Sequence, residues 1–255
     1  MTAVALHHVD EGPRDAPVLV LSGSLGSTVE MWRPQVPRLS EKFRLIRIDH
    51  RGHGGSPNPP GPYRVADLAG DVISLLDDLG VDRVAWCGLS LGGMIGMYLG
   101  SEAPERLTSL TLCCTSAHFP DPSSWTGRIA AVKSGGTGSI AEAVVARWFT
   151  PDWAAAHPEV VAEAVAMVTD TPDDGYIACC EALRAWDHRD RLAAVAVPTL
   201  VIAGTGDLAT PVDPHSETLV KNIAGSRLEV LDGAHLATVE QAAAATRLIG
   251  AHSSI

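Results

Sequence analysis

Apolar positions change their spacing several times along this chain, and each change marks an element. Pro17-Val18-Leu19-Val20-Leu21 is an unbroken apolar run that passes at once into the small-residue stretch Ser22-Gly23-Ser24-Leu25-Gly26-Ser27. Phe43 to Ile48 alternates and stops at Asp49. Between Val65 and Leu79 the residues Val65, Leu68, Val72, Leu75, Leu76 and Leu79 recur at helical intervals, predicting a helix closed by Gly80. Arg83–Cys87 and Leu107–Cys113 predict two more strands, with a helix over Leu91–Gly100 between them. Short apolar strands that alternate with helices argue for a parallel sheet covered on both faces.

The pattern breaks near residue 120. From Asp121 to Arg191 only helical spacing survives, over Ile140–Phe149, Pro158–Val168 and Tyr176–Trp186, interrupted by Gly135-Gly136-Thr137-Gly138 and by Thr171-Pro172-Asp173-Asp174-Gly175. Strand patterns return at Thr199–Ala203 and Arg227–Leu231, and a final helix is expected from Thr238 to about Gly250. The fold class is therefore α/β, a mostly parallel central sheet with helices on both faces. Residues 1–119 and 189–255 form its core, and a helical cap is inserted over 120–188. Insertions at the C-terminal ends of parallel strands commonly roof a binding crevice.

Composition narrows the function classes. The formal charge is −11, from 19 basic and 30 acidic residues, and no basic run exists. Phosphate contacts need clustered Lys and Arg, so neither a nucleic-acid partner nor an anionic membrane surface is expected. No apolar stretch reaches the roughly 18 residues of a membrane span. The N-terminus carries neither a basic nor an apolar leader segment. The cysteines Cys87, Cys113, Cys114, Cys179 and Cys180 are odd in number and include two adjacent pairs, which reads as free thiols in a reducing cytoplasm. No His, Cys, Asp and Glu spacing resembles a metal site, so no metal and no cofactor are expected.

Candidate chemistry centres on Gly88-Leu89-Ser90-Leu91-Gly92. The bare pattern is weak, but it follows a predicted strand and opens a predicted helix, the setting of a strained turn that exposes a serine nucleophile. A serine hydroxyl needs a base and an orienting carboxylate. Among the later histidines, His235 in Asp232-Gly233-Ala234-His235-Leu236 lies in a tight loop right after the last strand, whereas His215 sits at a helix start and His252 in a frayed terminus. Asp207 follows the strand Thr199–Ala203 and is the preferred acid over Asp213 and Asp232. Gly204-Thr205-Gly206-Asp207-Leu208-Ala209 also fits a dinucleotide fingerprint, which Pro211 and Pro214 argue against by denying the long helix it needs. An oxyanion hole requires two backbone N–H donors, expected from Leu91 and from Leu25, with Ser24 as the second choice for the latter. Asp49-His50-Arg51-Gly52-His53-Gly54 reads as a hydrogen-bonded loop bracing the nucleophile turn. Trp125, Trp148, Trp153 and Trp186 read mainly as packing of the cap, with one or two on the pocket wall.

These stretches resemble the α/β-hydrolase superfamily over essentially the whole chain. Within it the chain is most similar to the 3-oxoadipate enol-lactonases. The resemblance rests on Leu21–Ser27 with Met31-Trp32, Asp49–Gly54, Pro60-Gly61-Pro62-Tyr63, Cys87–Gly96, Arg147-Trp148-Phe149-Thr150 and Gly233-Ala234-His235-Leu236. It implies the α/β-hydrolase fold and a cofactor-free serine hydrolase that opens the enol-lactone ring to give 3-oxoadipate, a step of aromatic catabolism by the β-ketoadipate pathway. Ser90, Asp207 and His235 would be the triad, and the partner a small-molecule lactone. That substrate carries a carboxylate, for which Arg128 and Arg147 are candidate ligands, with Ser24, Trp125 and Trp148 beside them. Where related enzymes carry His-Gly or Asn-Ser at the oxyanion loop, this chain has Gly23-Ser24. A general carboxylesterase or a cofactor-free haloperoxidase-like hydrolase with the same triad is the alternative. A non-catalytic receptor of the same fold would be expected to have lost the triad.

Overall fold

The computed structural model describes residues 1–254. Seven strands form one sheet: β1 (His8–Glu11), β2 (Val18–Ser22), β3 (Arg44–Ile48), β4 (Val84–Leu89), β5 (Leu107–Cys113), β6 (Thr199–Gly204) and β7 (Arg227–Leu231). Helices α1 (Val36–Leu39), α2 (Val65–Asp78) and α3 (Leu91–Glu102) lie between the early strands. Then α4 (Ser123–Gly135), α5 (Ala141–Val145), α6 (Pro151–Ala156), α7 (Pro158–Asp170) and α8 (Asp173–Arg184) separate β5 from β6. The chain closes with α9 (Glu217–Asn222), α10 (Ala237–Glu240) and α11 (Ala242–His252).

The strand order is β1-β3-β2-β4-β5-β6-β7, parallel throughout except for β1 against β3. After β3 the chain crosses back over β2 to lay down β4, so the winding direction reverses between β2 and β4. Loops leaving neighbouring strands at such a reversal diverge and open a crevice beyond their C-terminal ends. Ser22 and Gly88 pair across that junction, so the glycine-rich loop after β2 and the Ser90 turn after β4 leave the sheet side by side.

Strands β2, β4, β5 and β6 are almost wholly buried, as continuous apolar runs require when helices cover both faces. Their side chains belong to one apolar cluster that also takes in Ile129, Val132, Val145, Trp148, Phe149 and Leu183 from the inserted helical segment.

Several elements differ from the sequence reading. Strand β1 was not expected: four half-buried residues, HVDE, carry no apolar alternation, and only antiparallel pairing with β3 makes them a strand. The helix expected over Ile140–Phe149 stops at Val145, because the next turns place Trp148 so that its carbonyl accepts the Leu236 N–H at 2.8 Å. The final helix is broken at Gln241 into α10 and α11. His252 is not in a frayed end: it is buried, with Nε2 3.2 Å from both the Leu110 and the Pro198 carbonyl oxygens.

Candidate active site

Ser90 stands between β4 and α3 with φ 55° and ψ −109°, a conformation that L-residues adopt only under constraint. The constraint is visible. The Ser90 N–H donates to Cys113 O at 2.9 Å, its carbonyl accepts the Thr115 hydroxyl at 2.7 Å, and the Gly92 N–H donates to Gly23 O at 2.9 Å. A Cβ on Gly92 would lie 2.2 Å from Ser22 O, so only glycine lets α3 start this close to β2. The Ser90 side chain is half-buried and is left at the wall of a cavity of about 150 Å³.

His235 reaches the same cavity from the loop after β7. To do so the loop crosses the end of β6, where a Cβ on Gly204 would sit 2.3 Å from Ala234 O. His235 Nδ1 is 2.9 Å from Asp207 Oδ2, which leaves Nε2 for the cavity side of the ring. No hydrogen bond joins Ser90 to His235 in this conformation; the two share a wall, and such pairs commonly tighten only around a bound reactant.

Asp207 is buried and accepts four hydrogen bonds: His235 Nδ1 and the Thr210 hydroxyl at Oδ2, and the Ala209 and Thr210 N–H groups at Oδ1. Burial pushes this carboxyl up, but the His235 imidazole and the Thr210 donors outweigh it and hold the group well below the usual carboxylate range. The rival acids are elsewhere: Asp213 is exposed, and Asp232 is exposed and accepts the Thr205 hydroxyl. His215 lines a separate cavity, with Nδ1 2.6 Å from Ser116 Oγ.

Leu25 and Leu91 flank the serine, and among the described residues neither backbone N–H donates to a protein acceptor. A buried N–H without a partner is costly, so each is left open to an acceptor from outside the protein. The Asp49–Gly54 segment fixes this loop. The His50 Nε2–H donates to Gly23 O at 3.0 Å, His53 Nε2 accepts the Gly26 N–H at 2.9 Å, and Asp49 Oδ1 accepts the Val29 N–H at 2.7 Å. Because His53 Nε2 accepts, its Nδ1–H is the donor toward Arg51 O. Burial pushes the His53 imidazole down to about 3, with neighbouring His50 adding to the effect, so it stays neutral. Below lies a fully buried ion pair, Arg51 with Asp71 at 2.6 Å.

The rest of the cavity wall comes from Ser24, Leu25, Phe119, Ser124, Trp125, Arg128, Val144, Arg147 and Trp148, with Ala209 and Thr210 beside His235. Trp153 and Trp186 are elsewhere: Trp153 stacks between Phe149 and His157, and the Trp186 indole N–H donates to Ser116 O. The Arg128 guanidinium lies 5.0 Å from the Trp125 ring and donates to the Tyr176 hydroxyl at 3.4 Å, and Arg147 donates to Leu208 O at 2.8 Å. Among the described residues, Arg83, Arg128, Arg147 and Arg247 are the arginines with no carboxylate partner, and two of these four line this cavity. The sequence reading missed Thr210, although Asp-x-x-Thr at the end of a strand is a recognisable side-chain turn. It also missed Phe119 and Val144, which carry no local signal.

A family model described as alpha/beta hydrolase fold matches residues 16–242. The chain belongs to the alpha/beta hydrolase family. It is 38% identical to 3-oxoadipate enol-lactonase 2 of Acinetobacter baylyi, over 93% of this chain and 89% of that protein. The crystal structure of the enol-lactonase from Burkholderia xenovorans LB400 superposes with a TM-score of 0.96 at 39% identity, covering 99% of this chain and 97% of that one. The RutD protein of Stutzerimonas stutzeri, which carries a provisional carbamate-hydrolase name, is 32% identical over 88% of this chain and 87% of its own length. This alpha/beta hydrolase is thus an enzyme of the hydrolase class, and among its described residues no helix is long and apolar enough to cross a membrane.

Proposed function

We propose that this hydrolase opens the ring of 3-oxoadipate enol-lactone or a closely similar anionic enol-lactone, with Ser90 as nucleophile, His235 as base and Asp207 as the orienting acid. One observation carries the substrate class: two arginines free of carboxylate partners line the small cavity that Ser90 and His235 share. In a chain of charge −11 an anionic substrate needs such a local cation, and guanidinium pairs with carboxylate in two-point fashion. The cavity volume suits a ligand about one ring in size, since a space of about 150 Å³ holds a benzene-sized guest. The enol-lactonase relatives support the same reading.

In this mechanism Ser90 Oγ attacks the lactone carbonyl while His235 Nε2 takes its proton, and the Leu25 and Leu91 N–H groups receive the oxyanion. The ring C–O bond breaks, the enol oxygen leaves with the proton from His235, and the enol tautomerises to the ketone. Water deprotonated by His235 then releases the acyl group from Ser90. Residues 120–188 act as the lid that brings Trp125, Arg128, Arg147 and Trp148 over the serine. Five free, buried cysteines support a reducing, cytoplasmic setting.

The test is turnover of 3-oxoadipate enol-lactone by wild type and Ser90→Ala, alongside a neutral nitrophenyl ester. Wild type should hydrolyse the lactone and Ser90→Ala should not. Arg128→Glu should raise KM for the lactone and spare the neutral ester, and equal loss on both would remove Arg128 from substrate binding. The RutD relative makes a carbamate the second reading, and faster turnover of a small carbamate than of the lactone would select it.

A further inference from the structure

The loop that carries His235 is joined to the helical insert on both sides of the histidine. On the C-terminal side the Leu236 N–H donates directly to Trp148 O at 2.8 Å. On the N-terminal side the join is made through Glu240. Its Oε1 accepts the Ala234 N–H at 2.6 Å and the Thr150 N–H at 3.2 Å, and its Oε2 accepts the Thr150 hydroxyl at 2.6 Å. The short helix α10 turns the chain back so that residue 240 faces residue 234, and a Cβ on Gly233 would already be 3.3 Å from Oε1. Glu240 is half-buried, and among the described residues no basic group is paired with it. Three donors from two distant segments converge on two oxygens, and an ionised carboxylate, an acceptor at every lone pair, matches that set. Residues 148 and 150 bracket one clasp, residues 234 and 236 the other, and the cavity wall at Arg147 and Trp148 begins at the first of them.

We propose that Glu240 is a positioning residue that holds His235 in register with the substrate wall of the insert, acting through the Ala234 and Thr150 backbone and never touching substrate. The proposal rests on the reading of Ser90 and His235 as nucleophile and base. Asp207 fixes the tautomer and ring plane of His235 through Nδ1. The Glu240 bridge fixes where that ring stands relative to Ser90 and the lid. A base displaced by about 1 Å loses roughly two orders of magnitude in rate, so the bridge acts on turnover more than on binding.

The experiment compares wild type, Glu240→Ala, Glu240→Gln and Thr150→Val on a nitrophenyl ester, with fluorophosphonate labelling of Ser90, thermal midpoints, and the downfield proton resonance of His235 Nδ1–H. Glu240→Ala should lose about tenfold to a hundredfold in kcat, with KM little changed, slower labelling, and a shifted or exchange-broadened His235 proton. Glu240→Gln should recover most of the rate, because its amide oxygen can accept both N–H groups while its NH₂ donates to the Thr150 hydroxyl. Wild-type kcat in Glu240→Ala overturns the proposal. So does a loss that Gln fails to rescue, or one that follows only the fall in thermal midpoint while the His235 resonance stays put. If Glu240→Ala does not fold, Thr150→Val decides: it removes one bond and keeps the glutamate, and a severalfold fall in kcat supports the bridge, while none overturns it. Wild type that neither hydrolyses the ester nor labels at Ser90 would refute the parent reading instead.

Discussion

At the scale of single residues the site is a set of groups held in states they would not adopt alone. Ser90 keeps a positive φ because Cys113 and Thr115 hold its peptide from both sides. Asp207 stays ionised while buried because four donors surround it. Replacing it by Asn keeps the shape but removes the charge that orients the imidazole, so kcat should fall by about four orders of magnitude in stopped-flow or steady-state ester hydrolysis. Arg51 and Asp71 are both fully buried, and truncating one leaves the other uncompensated. Asp71→Ala should therefore lose about 3–5 kcal/mol in a urea unfolding curve while the equally buried apolar neighbours stay in place. The sequence singled out Ser90, His235 and Asp207 through their position relative to strand patterns, and the structure places His235 against Asp207 and on the cavity that Ser90 lines. Arg51 was legible as part of a motif, but its partner twenty residues on was not, because nothing local marks which aspartate a folded chain will bury.

At the scale of elements, the loops after β2 and β4 depend on the Asp49–Gly54 brace. His53 belongs to that brace only as a neutral ring, since Nε2 must accept the Gly26 N–H. Its folded-state value is pushed down to about 3 from an ordinary 6.5, so between these limits the unfolded chain binds the extra proton. Stability is then full above about pH 6.5 and declines as pH falls toward 3. The urea midpoint should drop over that window in wild type, and His53→Gln should flatten the slope; an unchanged slope would remove His53 as a cause. The loop after β7 depends on Gly204. Gly204→Val places side-chain atoms where Ala234 O now sits, so it should abolish ester hydrolysis and Ser90 labelling alike, whereas the same change at exposed Gly70 in α2, where a Cβ meets open space, should leave both in place. Strand and helix patterns in the core were readable because parallel strands buried on both faces are continuous apolar runs. The inserted helices were harder to bound: Trp148 leaves helical geometry to meet Leu236, a contact set by a residue far along the chain.

At the scale of the whole molecule, sheet and insert share one apolar cluster, with Trp32 and Trp86 on one side and Trp148 and Trp186 on the other. Two regions that bury each other's surface lose stability together. Tryptophan fluorescence and far-UV circular dichroism should trace coincident urea transitions, and two resolved steps would show the insert to be an independent unit.

The chain by itself determined the layering of strands and helices, the insertion after residue 120 and the order serine, acid, histidine, because hydrophobic spacing and small-residue turns are local properties that neighbouring residues alone enforce. Only the tertiary structure decided that β2 and β4 leave the sheet together, that Arg128 and Arg147 line the cavity without a carboxylate partner, and that Glu240 spans from the histidine loop to the segment between β5 and β6. These depend on which distant segments the closed core leaves within a hydrogen bond of one another, and no local pattern encodes that distance.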